Sequence, residues 1–329
     1  MQAVNSARFS IGVDFGGTNL RIGAYTQEAG LLETVLLPTR LRDGPGAVSD
    51  DMSGGIRRLL GRYSPQYALA GIGVGSPGPL ELPAGRLRQP PNLPGWDGFE
   101  LRATLERTLG TRVLVENDAN VAALAEYALG RGKKLGADSL CMLTLGTGLG
   151  AGIILHGRIW DGMNGMAGEA GHLNIWTDGV ACGCGGHGCL EPYASATAVR
   201  RMADERIAGG NAPGLAALAM LNPNFSAGEV AELAVAEDAD AKAIYEIVGQ
   251  SLGIGLASLV NVLNLPLYVL GGGVAASWEL FSPALFEELR RRSYVYRLTM
   301  PEVSRTELGA DAGLLGACLL PFSKEAGHA

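Results

Sequence analysis

Apolar and polar residues alternate in short runs at the start of the chain, and these runs predict strands. The first run is Phe9 to Asp14, the second Leu20 to Tyr25 and the third Leu31 to Pro38. A glycine turn, Gly16-Gly17-Thr18, joins the first two, so strand, turn and strand follow one another as in a hairpin. A dinucleotide-binding fold needs a helix directly after such a turn, and the sequence predicts none there.

The following segment mixes predicted strands, loops and helices. In chain order they are strand Gly71–Gly75, loop Pro90–Trp96, helix Glu100–Leu109, strand Val113–Val115 and helix Ala119–Leu129. Residues 73–78 match the GxGxxG pattern, but Pro77 and Pro79 stand where the required helix would begin. We therefore do not interpret this match as a dinucleotide site.

The pattern then restarts in the second half of the chain. Strand Ser139–Leu145, glycine turn Gly146–Gly150 and strand Ala151–Leu155 are predicted, followed by a short strand at Arg158–Trp160. This order echoes the first half and suggests an internal duplication. Further predicted elements are helices Ala194–Ala208, Ala212–Leu221, Ser226–Ala236, Ala241–Leu263 and Gly313–Leu320, and strand Leu267–Leu270.

Composition narrows the class of protein. At 329 residues the chain is longer than a protein with one hydrophobic core usually is, so two domains are expected. A net charge of −7 argues against nonspecific binding to nucleic acid. The longest apolar run, Gly253 to Leu270, is interrupted by Asn261, Asn264 and Pro266, so we expect no membrane span. The first residues lack an apolar signal core, which favours a cytoplasmic enzyme or sensor.

Three of the five cysteines, Cys182, Cys184 and Cys189, lie within eight residues, and His172 stands ten positions upstream. Three thiolates and one imidazole suit a four-coordinate structural zinc. The alternative is a disulfide. It is disfavoured because Cys182 and Cys184 are too close in the chain to bridge easily, and because no secretory signal is present.

Two glycine-threonine turns, Gly16-Gly17-Thr18 and Gly146-Thr147-Gly148, offer backbone N–H groups and a hydroxyl. Phosphate oxygens need such donors where no P-loop lysine is available, and the chain contains no GxxxxGK[ST]. Asp14 precedes the first turn and is placed to hold Mg²⁺ through water. The alternative is that both are ordinary hairpin turns. A third turn, Gly271-Gly272-Gly273, is either a helix-entry loop or a place where a flat base approaches the backbone.

Polar residues near these turns have two interpretations each. Asp118 stands at a strand-to-helix junction, where it either caps the helix or acts as a general base on an attacking hydroxyl. Either Asn117 or Asp118 can supply the cap, and both roles are compatible if one of these two residues caps the helix and the other faces the cleft. Glu169, His172 and Glu191 near the cysteines are either sugar-hydroxyl ligands or exposed surface groups.

Taken together, these motifs resemble the ROK sugar kinases, a branch of the actin-like ATPase superfamily. The matching segments are Asp14–Thr18 (DFGGT), Glu116–Asp118 (END), Gly146–Gly150 (GTGLG), Gly168–His172 (GEAGH), Cys182–Glu191 (CGCGGHGCLE) and Gly271–Val274 (GGGV). They occur in the family's order from about Phe9 to Leu320. One such motif is a weak signal, but six in order are highly specific.

The resemblance implies a two-lobed actin-like ATPase (ribonuclease H-like) fold of the α/β class, with mixed sheets and a cleft between the lobes. We expect residues 1–117 to form a small lobe, joined by a C-terminal helix at about 310–329. Residues 118–309 would form a larger lobe carrying the zinc loop. The resemblance also implies a homodimer.

The resemblance further implies ATP-dependent, Mg²⁺-assisted phosphorylation of a hexose, an early step of glycolysis. Glucose is the first choice of substrate, because Glu169–His172 and Cys189–Ser195 are most similar to the glucokinases of the family. Asp118 would deprotonate the 6-hydroxyl of the sugar. The implied sugar ligands are Ser76, Asn92, Asn117, Asp118, Glu169, His172 and Glu191. The implied nucleotide ligands are Asp14, Gly16, Gly17, Thr18, Gly146, Thr147, Gly148, Gly271, Gly272 and Gly273. The implied zinc ligands are His172, Cys182, Cys184 and Cys189.

Two alternatives stay open within the family. Kinases for N-acetylmannosamine, N-acetylglucosamine, mannose, fructose or allose share the scaffold, and loops 90–96 and 157–166 are expected to decide between them. Sugar-responsive repressors read DNA through an N-terminal domain, for which no room precedes Ile11. Polyphosphate-using relatives tend to lack the cysteine cluster, so ATP is the expected donor.

Overall fold

The computed structural model describes residues 7–325 and contains twelve strands and twelve α-helices in that range. The strands are β1 (Arg8–Phe15), β2 (Asn19–Thr26), β3 (Gly30–Pro38), β4 (Ala68–Ser76), β5 (Leu80–Glu81), β6 (Arg86–Leu87), β7 (Val113–Asn117), β8 (Leu140–Leu145), β9 (Leu149–Leu155), β10 (Arg158–Ile159), β11 (Leu267–Gly271) and β12 (Glu302–Arg305). The helices are α1 (Gly44–Tyr63), α2 (Leu101–Leu109), α3 (Asp118–Ala128), α4 (Arg131–Leu135), α5 (Glu191–Ala194), α6 (Ala196–Ala208), α7 (Pro213–Leu221), α8 (Ala227–Val235), α9 (Ala239–Leu263), α10 (Trp278–Arg292), α11 (Tyr294–Thr299) and α12 (Ala312–Glu325).

The chain forms two compact units. Unit 1 comprises Met1–Asp138, Gly152–Gly168 and Leu308–Ala329, and unit 2 comprises Ser139–Ala151 and Glu169–Glu307. Unit 1 therefore extends past the boundary predicted after residue 117. The reason is that helix α3 packs against α12, which groups it with the first sheet.

The sheet of unit 1 is mixed and has the order β3-β2-β1-β4-β7. Strands β1, β4 and β7 run parallel, with Asp14 opposite Gly75 and Ser76 opposite Asn117. Strands β2 and β3 complete an antiparallel meander with β1, as the hairpin pattern predicts. Because parallel strands end at the same edge, polar residues that follow β1, β4 and β7 are gathered there.

Helix α12 lies on β1 and β4 at very short range. A Cβ atom at Gly73 in β4 would stand 2.1 Å from the carbonyl oxygen of Ala317 in that helix. The glycine at position 73 therefore serves helix packing, and no helix follows β4 directly. Both facts agree with the prediction that the GxGxxG match at residues 73–78 is not a dinucleotide site.

This packing gives a first prediction, on stability. Gly73→Ala is expected to lower the free energy of unfolding by about 1–3 kcal/mol or more, because the added methyl group overpacks the interface with α12. Gly54→Ala is the matched control, since a Cβ atom there meets nothing within 4 Å inside helix α1. That variant should gain about 0.5–1 kcal/mol. Urea unfolding of both proteins checks this, and equal effects of the two substitutions would contradict it.

The second sheet has the order β10-β9-β8-β11-β12. Strand β11 runs parallel to β8 on one side and to β12 on the other. In both sheets the two strands that flank a glycine-threonine turn are neighbours, as the echo between the two halves predicts.

Helix α9 is the central helix of unit 2 and packs against α10, α8, α5 and α6. Within the described range it is the one helix long and apolar enough to cross a membrane, and 67% of its apolar window is buried in the protein. Its apolar composition is therefore explained mainly by burial against these helices.

Candidate functional site

Three predicted site residues lie at the carboxyl edge of the unit 1 sheet. Asp14 is next to last in β1, Ser76 is the last residue of β4, and Asn117 is the last residue of β7. The register places Ser76 directly opposite Asn117 and Asp14 opposite Gly75. The sheet topology thus brings together residues that are 103 positions apart in sequence, from 14 to 117.

Asn117 and Asp118 make different contacts at the junction between β7 and α3. The side-chain oxygen of Asn117 accepts hydrogen bonds from the N–H groups of Ala119 at 2.9 Å and Asn120 at 3.3 Å, so Asn117 is the N-cap of α3. Asp118 is the first helical residue, and its Oδ1 accepts from the adjacent Ala119 N–H at 2.8 Å. Its carboxylate therefore lies at the positive end of a helix dipole, which favours the ionised form.

Glu116 supports this junction and was not singled out for that role from the sequence. Its side chain is 1% exposed, and Oε1 accepts from the Asn117 N–H and from Asn120 Nδ2, both at 3.0 Å. The buried carboxylate ties the end of β7 to the first turn of α3. It thereby fixes the backbone direction from which Asp118 projects.

Asp14 is a largely buried carboxylate beside a guanidinium. Burial raises the pKa of Asp14 above its usual value, and the charge of Arg21, 4.0 Å away, acts in the opposite direction. Arg21 also pairs with Asp311 and donates to the Ala310 carbonyl, just before α12. A second carboxylate thus holds the guanidinium near Asp14.

A second prediction concerns this carboxylate. Asp14→Asn is expected to leave the free energy of unfolding at pH 7 unchanged or higher, because the raised pKa means that the fold disfavours the charged form. Any such gain should fade as the pH falls towards 3.8, where the reference carboxyl is itself protonated. Urea unfolding of both proteins over this pH range measures the effect. A variant that is less stable than the wild type at pH 7 would contradict it.

Hydrogen bonds of the Gly16 backbone hold the first glycine turn in place. The Gly16 N–H donates to the Asn19 carbonyl at 3.0 Å, and the hydroxyl of Thr39 donates to the Gly16 carbonyl at 2.7 Å. A Cβ atom at Gly17 would meet nothing within 4 Å, so the backbone beside Thr18 is open to a ligand. This geometry fits a phosphate-binding turn. Thr39 was missed because it follows β3, far from the motif in sequence.

Asn92 is exposed, and it lies on a loop that is anchored by two buried side chains. Leu93 and Trp96 are buried, and the Trp96 ring lies 5.1 Å from the ring of Phe15, centroid to centroid. The loop at 90–96 is therefore packed next to the end of β1, one residue from Asp14. The segment is non-helical and non-strand, as predicted.

The other two turns adjoin each other in unit 2. Gly272 has φ +86°, and a Cβ atom there would stand 2.5 Å from the carbonyl oxygen of Leu145, the residue before Gly146. Only glycine fits this approach. The turns Gly146-Thr147-Gly148 and Gly271-Gly272-Gly273 thus follow neighbouring parallel strands, β8 and β11.

The cysteine cluster has the geometry of a tetrahedral metal site. The ligand atoms of His172, Cys182, Cys184 and Cys189 all lie within 4.8 Å of one another. Cys182 Sγ is 3.6 Å from His172 Nδ1, and Cys184 Sγ is 3.7 Å from Cys189 Sγ. Tetrahedral zinc with bonds of about 2.3 Å to sulfur and about 2.1 Å to nitrogen requires S–S edges of about 3.8 Å and S–N edges of about 3.6 Å. The two distances given above match these edges, so the four residues are compatible with a bound zinc ion.

The predicted sugar ligands of unit 2 adjoin this cluster. His172 Nε2, the nitrogen turned away from Cys182, lies 3.9 Å from Glu169 Oε2. Burial raises the pKa of Glu169, His172 opposes this, and the nearby Glu191 carboxylate adds to it. Glu191 Oε2 accepts the Leu149 N–H at 2.8 Å. Glu169, His172 and Glu191 are thus one group, within electrostatic range of each other.

The predicted site residues therefore fall into two groups, one in each unit. Unit 1 carries Asp14, Gly16, Gly17, Thr18, Ser76, Asn92, Asn117 and Asp118, and unit 2 carries Gly146, Thr147, Gly148, Glu169, His172, Cys182, Cys184, Cys189, Glu191, Gly271, Gly272 and Gly273.

The chain is similar to proteins of one family over most of its length. Residues 10–323 match the model of the ROK family. A glucokinase of Halalkalibacterium halodurans is 35% identical over 97% of this chain and 97% of its own length. The crystal structure of a ROK hexokinase from Thermus thermophilus superposes with a TM-score of 0.80 at 36% identity, covering 97% of this chain and 99% of that one.

A ROK glucokinase from Streptomyces griseus, solved with glucose and AMPPNP, superposes with a TM-score of 0.78 at 31% identity, covering 95% of this chain and 98% of that one. The α/β architecture with mixed sheets is the actin-like ATPase fold of these sugar kinases. By its sequence match and its fold, the chain belongs to the ROK family.

Proposed function

We propose that this protein is an ATP-dependent hexose kinase that transfers the γ-phosphoryl group of ATP to the 6-hydroxyl of glucose. The observation that carries the proposal is the junction of β7 and α3. Asn117 caps the helix with its side chain, so the carboxylate of Asp118 is not needed as the cap. Family membership supplies the reaction class, and this junction supplies the residue that acts as base.

Asp118 accepts the proton of the 6-hydroxyl as that oxygen attacks the γ-phosphorus. The new O6–P bond forms while the bond from the γ-phosphorus to the bridging oxygen breaks, and ADP leaves. A negative charge on this carboxylate is favourably placed at the positive end of α3. General-base assistance of this kind contributes about 10²–10⁴-fold to the rate.

The sugar is bound by hydrogen bonds to its hydroxyl groups. The proposed ligands are Ser76, Asn92, Asn117, Asp118, Glu169, His172 and Glu191. In unit 2, Glu191 uses Oε2 for the Leu149 N–H, and Oε1 makes no hydrogen bond to other groups of residues 7–325. That oxygen is placed to accept from a hydroxyl. Carboxylates suit this task because each hydroxyl donates a proton and charged acceptors form the stronger hydrogen bonds.

The phosphates are bound by backbone N–H groups of the glycine turns. The proposed ligands are Asp14, Gly16, Gly17, Thr18, Gly146, Thr147, Gly148, Gly271, Gly272 and Gly273. When bound with the nucleotide, Mg²⁺ would neutralise phosphate charge, and Asp14 is the carboxylate placed to orient it through water.

The cysteine cluster is proposed to hold a structural zinc. His172, Cys182, Cys184 and Cys189 would supply all four ligands of a tetrahedral zinc, which would leave no position for a substrate. The metal would fix His172, and through it the segment that carries Glu169, while Glu191 follows Cys189 by two residues. The cluster therefore supports the sugar ligands.

A coupled spectrophotometric assay with Mg·ATP and a panel of hexoses tests the proposed function. The panel contains glucose, mannose, fructose, allose, N-acetylglucosamine and N-acetylmannosamine. We expect the highest kcat/KM with glucose. Turnover of another hexose at a higher kcat/KM would overturn the choice of sugar, and no turnover of any hexose would overturn the kinase assignment.

On the same family resemblance we propose a cytoplasmic location and a homodimeric state. Light scattering on the purified protein checks the second point, since a mass of two chains is expected. A mass of one chain at micromolar concentration would contradict it.

A further inference from the structure

The turn between β8 and β9 is hydrogen-bonded to a corner of the chain that begins at Glu191, the last residue of the Cys182–Glu191 motif. This corner, residues 191–197, comprises α5, Ser195 and the first two residues of α6; we call it the α5–α6 corner. Three hydrogen bonds join the two segments. They run, donor first, from Leu149 N–H to Glu191 Oε2 (2.8 Å), from Ala196 N–H to the Gly146 carbonyl (2.9 Å) and from Thr197 Oγ1 to the Thr147 carbonyl (2.7 Å).

These bonds fix the direction of the backbone N–H groups in the turn. In a planar trans peptide the carbonyl and the following N–H point in opposite directions. The carbonyls of Gly146 and Thr147 point at the corner, so the N–H groups of Thr147 and Gly148 point away from it. Neither N–H donates to another group of residues 7–325. Two adjacent donors are therefore presented together, as an anion-binding turn requires.

The corner is itself firmly placed within unit 2. The Ser195 side chain accepts from the Ala198 N–H at 3.1 Å and caps α6, and Ser195 and Ala194 are buried. Helix α5 also packs against the central helix α9. The turn is thus hydrogen-bonded to the well-packed α5–α6 corner at both of its ends, Gly146 and Leu149.

We propose that the α5–α6 corner is a positioning element for the nucleotide, with Thr197 as a positioning residue that aims the N–H groups of Thr147 and Gly148 at the phosphates of ATP. The inference rests on the proposed function, since that function makes the turn a phosphate ligand. Glu191 belongs both to the corner and to the proposed sugar ligands. Thr197 donates a hydrogen bond to the turn and is not among the proposed sugar ligands, so it separates the two roles.

Thr197→Val tests the proposal, because valine keeps nearly the same volume and helix propensity and removes only the hydroxyl. Calorimetry with Mg·AMP-PNP in the absence of sugar should show a Kd raised about three- to tenfold, the effect of one hydrogen bond. The Kd for glucose should stay within about twofold, and the melting temperature should not change. Thr197→Ser keeps the hydroxyl and should restore nucleotide affinity.

Three results would overturn the inference: an unchanged nucleotide Kd in Thr197→Val, equal weakening of both ligands, or a Thr197→Ser variant as weak as Thr197→Val. Wild-type turnover in the hexose panel reports separately on the proposed function. Calorimetry needs no turnover, so a nucleotide effect without hexose phosphorylation would sustain the positioning role and refute the kinase. Hexose phosphorylation by the wild type, together with an unchanged nucleotide Kd in Thr197→Val, would refute only the positioning role.

Discussion

Asp118→Asn is expected to lower kcat for glucose phosphorylation by about 10²–10⁴-fold while the protein still binds the sugar. Asparagine has nearly the same shape as aspartate, and its side-chain oxygen can still accept from the Ala119 N–H, as Asp118 Oδ1 does at 2.8 Å. Asn117 keeps its capping bonds, so helix α3 should begin at the same residue. What is lost is the basic carboxylate. Steady-state rates and calorimetric binding of glucose measure the two effects separately.

The chain offers a matched control for this substitution. Asp238→Asn also replaces an aspartate at a helix start, where Asp238 caps α9 by accepting from the Ala241 N–H at 2.9 Å. Asparagine is an equally good cap, so stability and kcat should both stay close to those of the wild type. If Asp118→Asn retained near-normal kcat, or if both variants lost activity equally, Asp118 would not be the base.

Cys184→Ser is the second substitution with a large expected effect. It should reduce the zinc content well below one ion per chain and raise the KM for glucose by about 10–100-fold, with a smaller change in kcat. The physical reason is that Cys184 Sγ lies 3.7 Å from Cys189 Sγ as one corner of a tetrahedron, and a serine hydroxyl is a much weaker zinc ligand. Without the metal, His172 and the segment beyond Cys189 lose their common anchor.

Elemental analysis of the purified proteins, followed by kinetics, measures this effect. Cys141→Ala is the control, since Cys141 is buried in β8 and lies outside the four-ligand cluster. It should retain zinc and a normal KM for glucose. A wild-type protein that contains no zinc and takes up none when it is supplied would refute the metal assignment.

Local sequence patterns predicted most of the elements that carry the site. The glycine turns and the junction at Asn117 depend on neighbouring residues, and the structure has a turn or a strand-to-helix junction at each of these positions. The four predicted zinc ligands lie close together, as their spacing in the sequence indicates. Helix α6 was predicted to begin at Ala194, but it begins at Ala196, because extended Ser195 is its cap.

Helix α1 was not predicted, although its buried residues Val48, Met52, Ile56 and Leu59 have helical spacing. Five glycines in its 20 residues lower the intrinsic preference for a helix, and burial of the apolar stripe outweighs them. The sequence also did not predict two hydrogen bonds that hold the glycine turns and join residues far apart in the chain. Thr39 lies 23 positions from Gly16, and Thr197 lies 50 positions from Thr147, so only the folded chain shows these contacts.

The central claim is that the protein phosphorylates glucose at its 6-hydroxyl, and ³¹P NMR of the reaction mixture tests this most directly. Purified protein, glucose and Mg·ATP should yield ADP and one new phosphomonoester, whose phosphorus couples to the two protons on carbon 6. The Asp118→Asn protein under the same conditions should leave ATP intact. A new ester at another carbon, release of inorganic phosphate alone, or unchanged ATP with the wild-type protein would contradict the account.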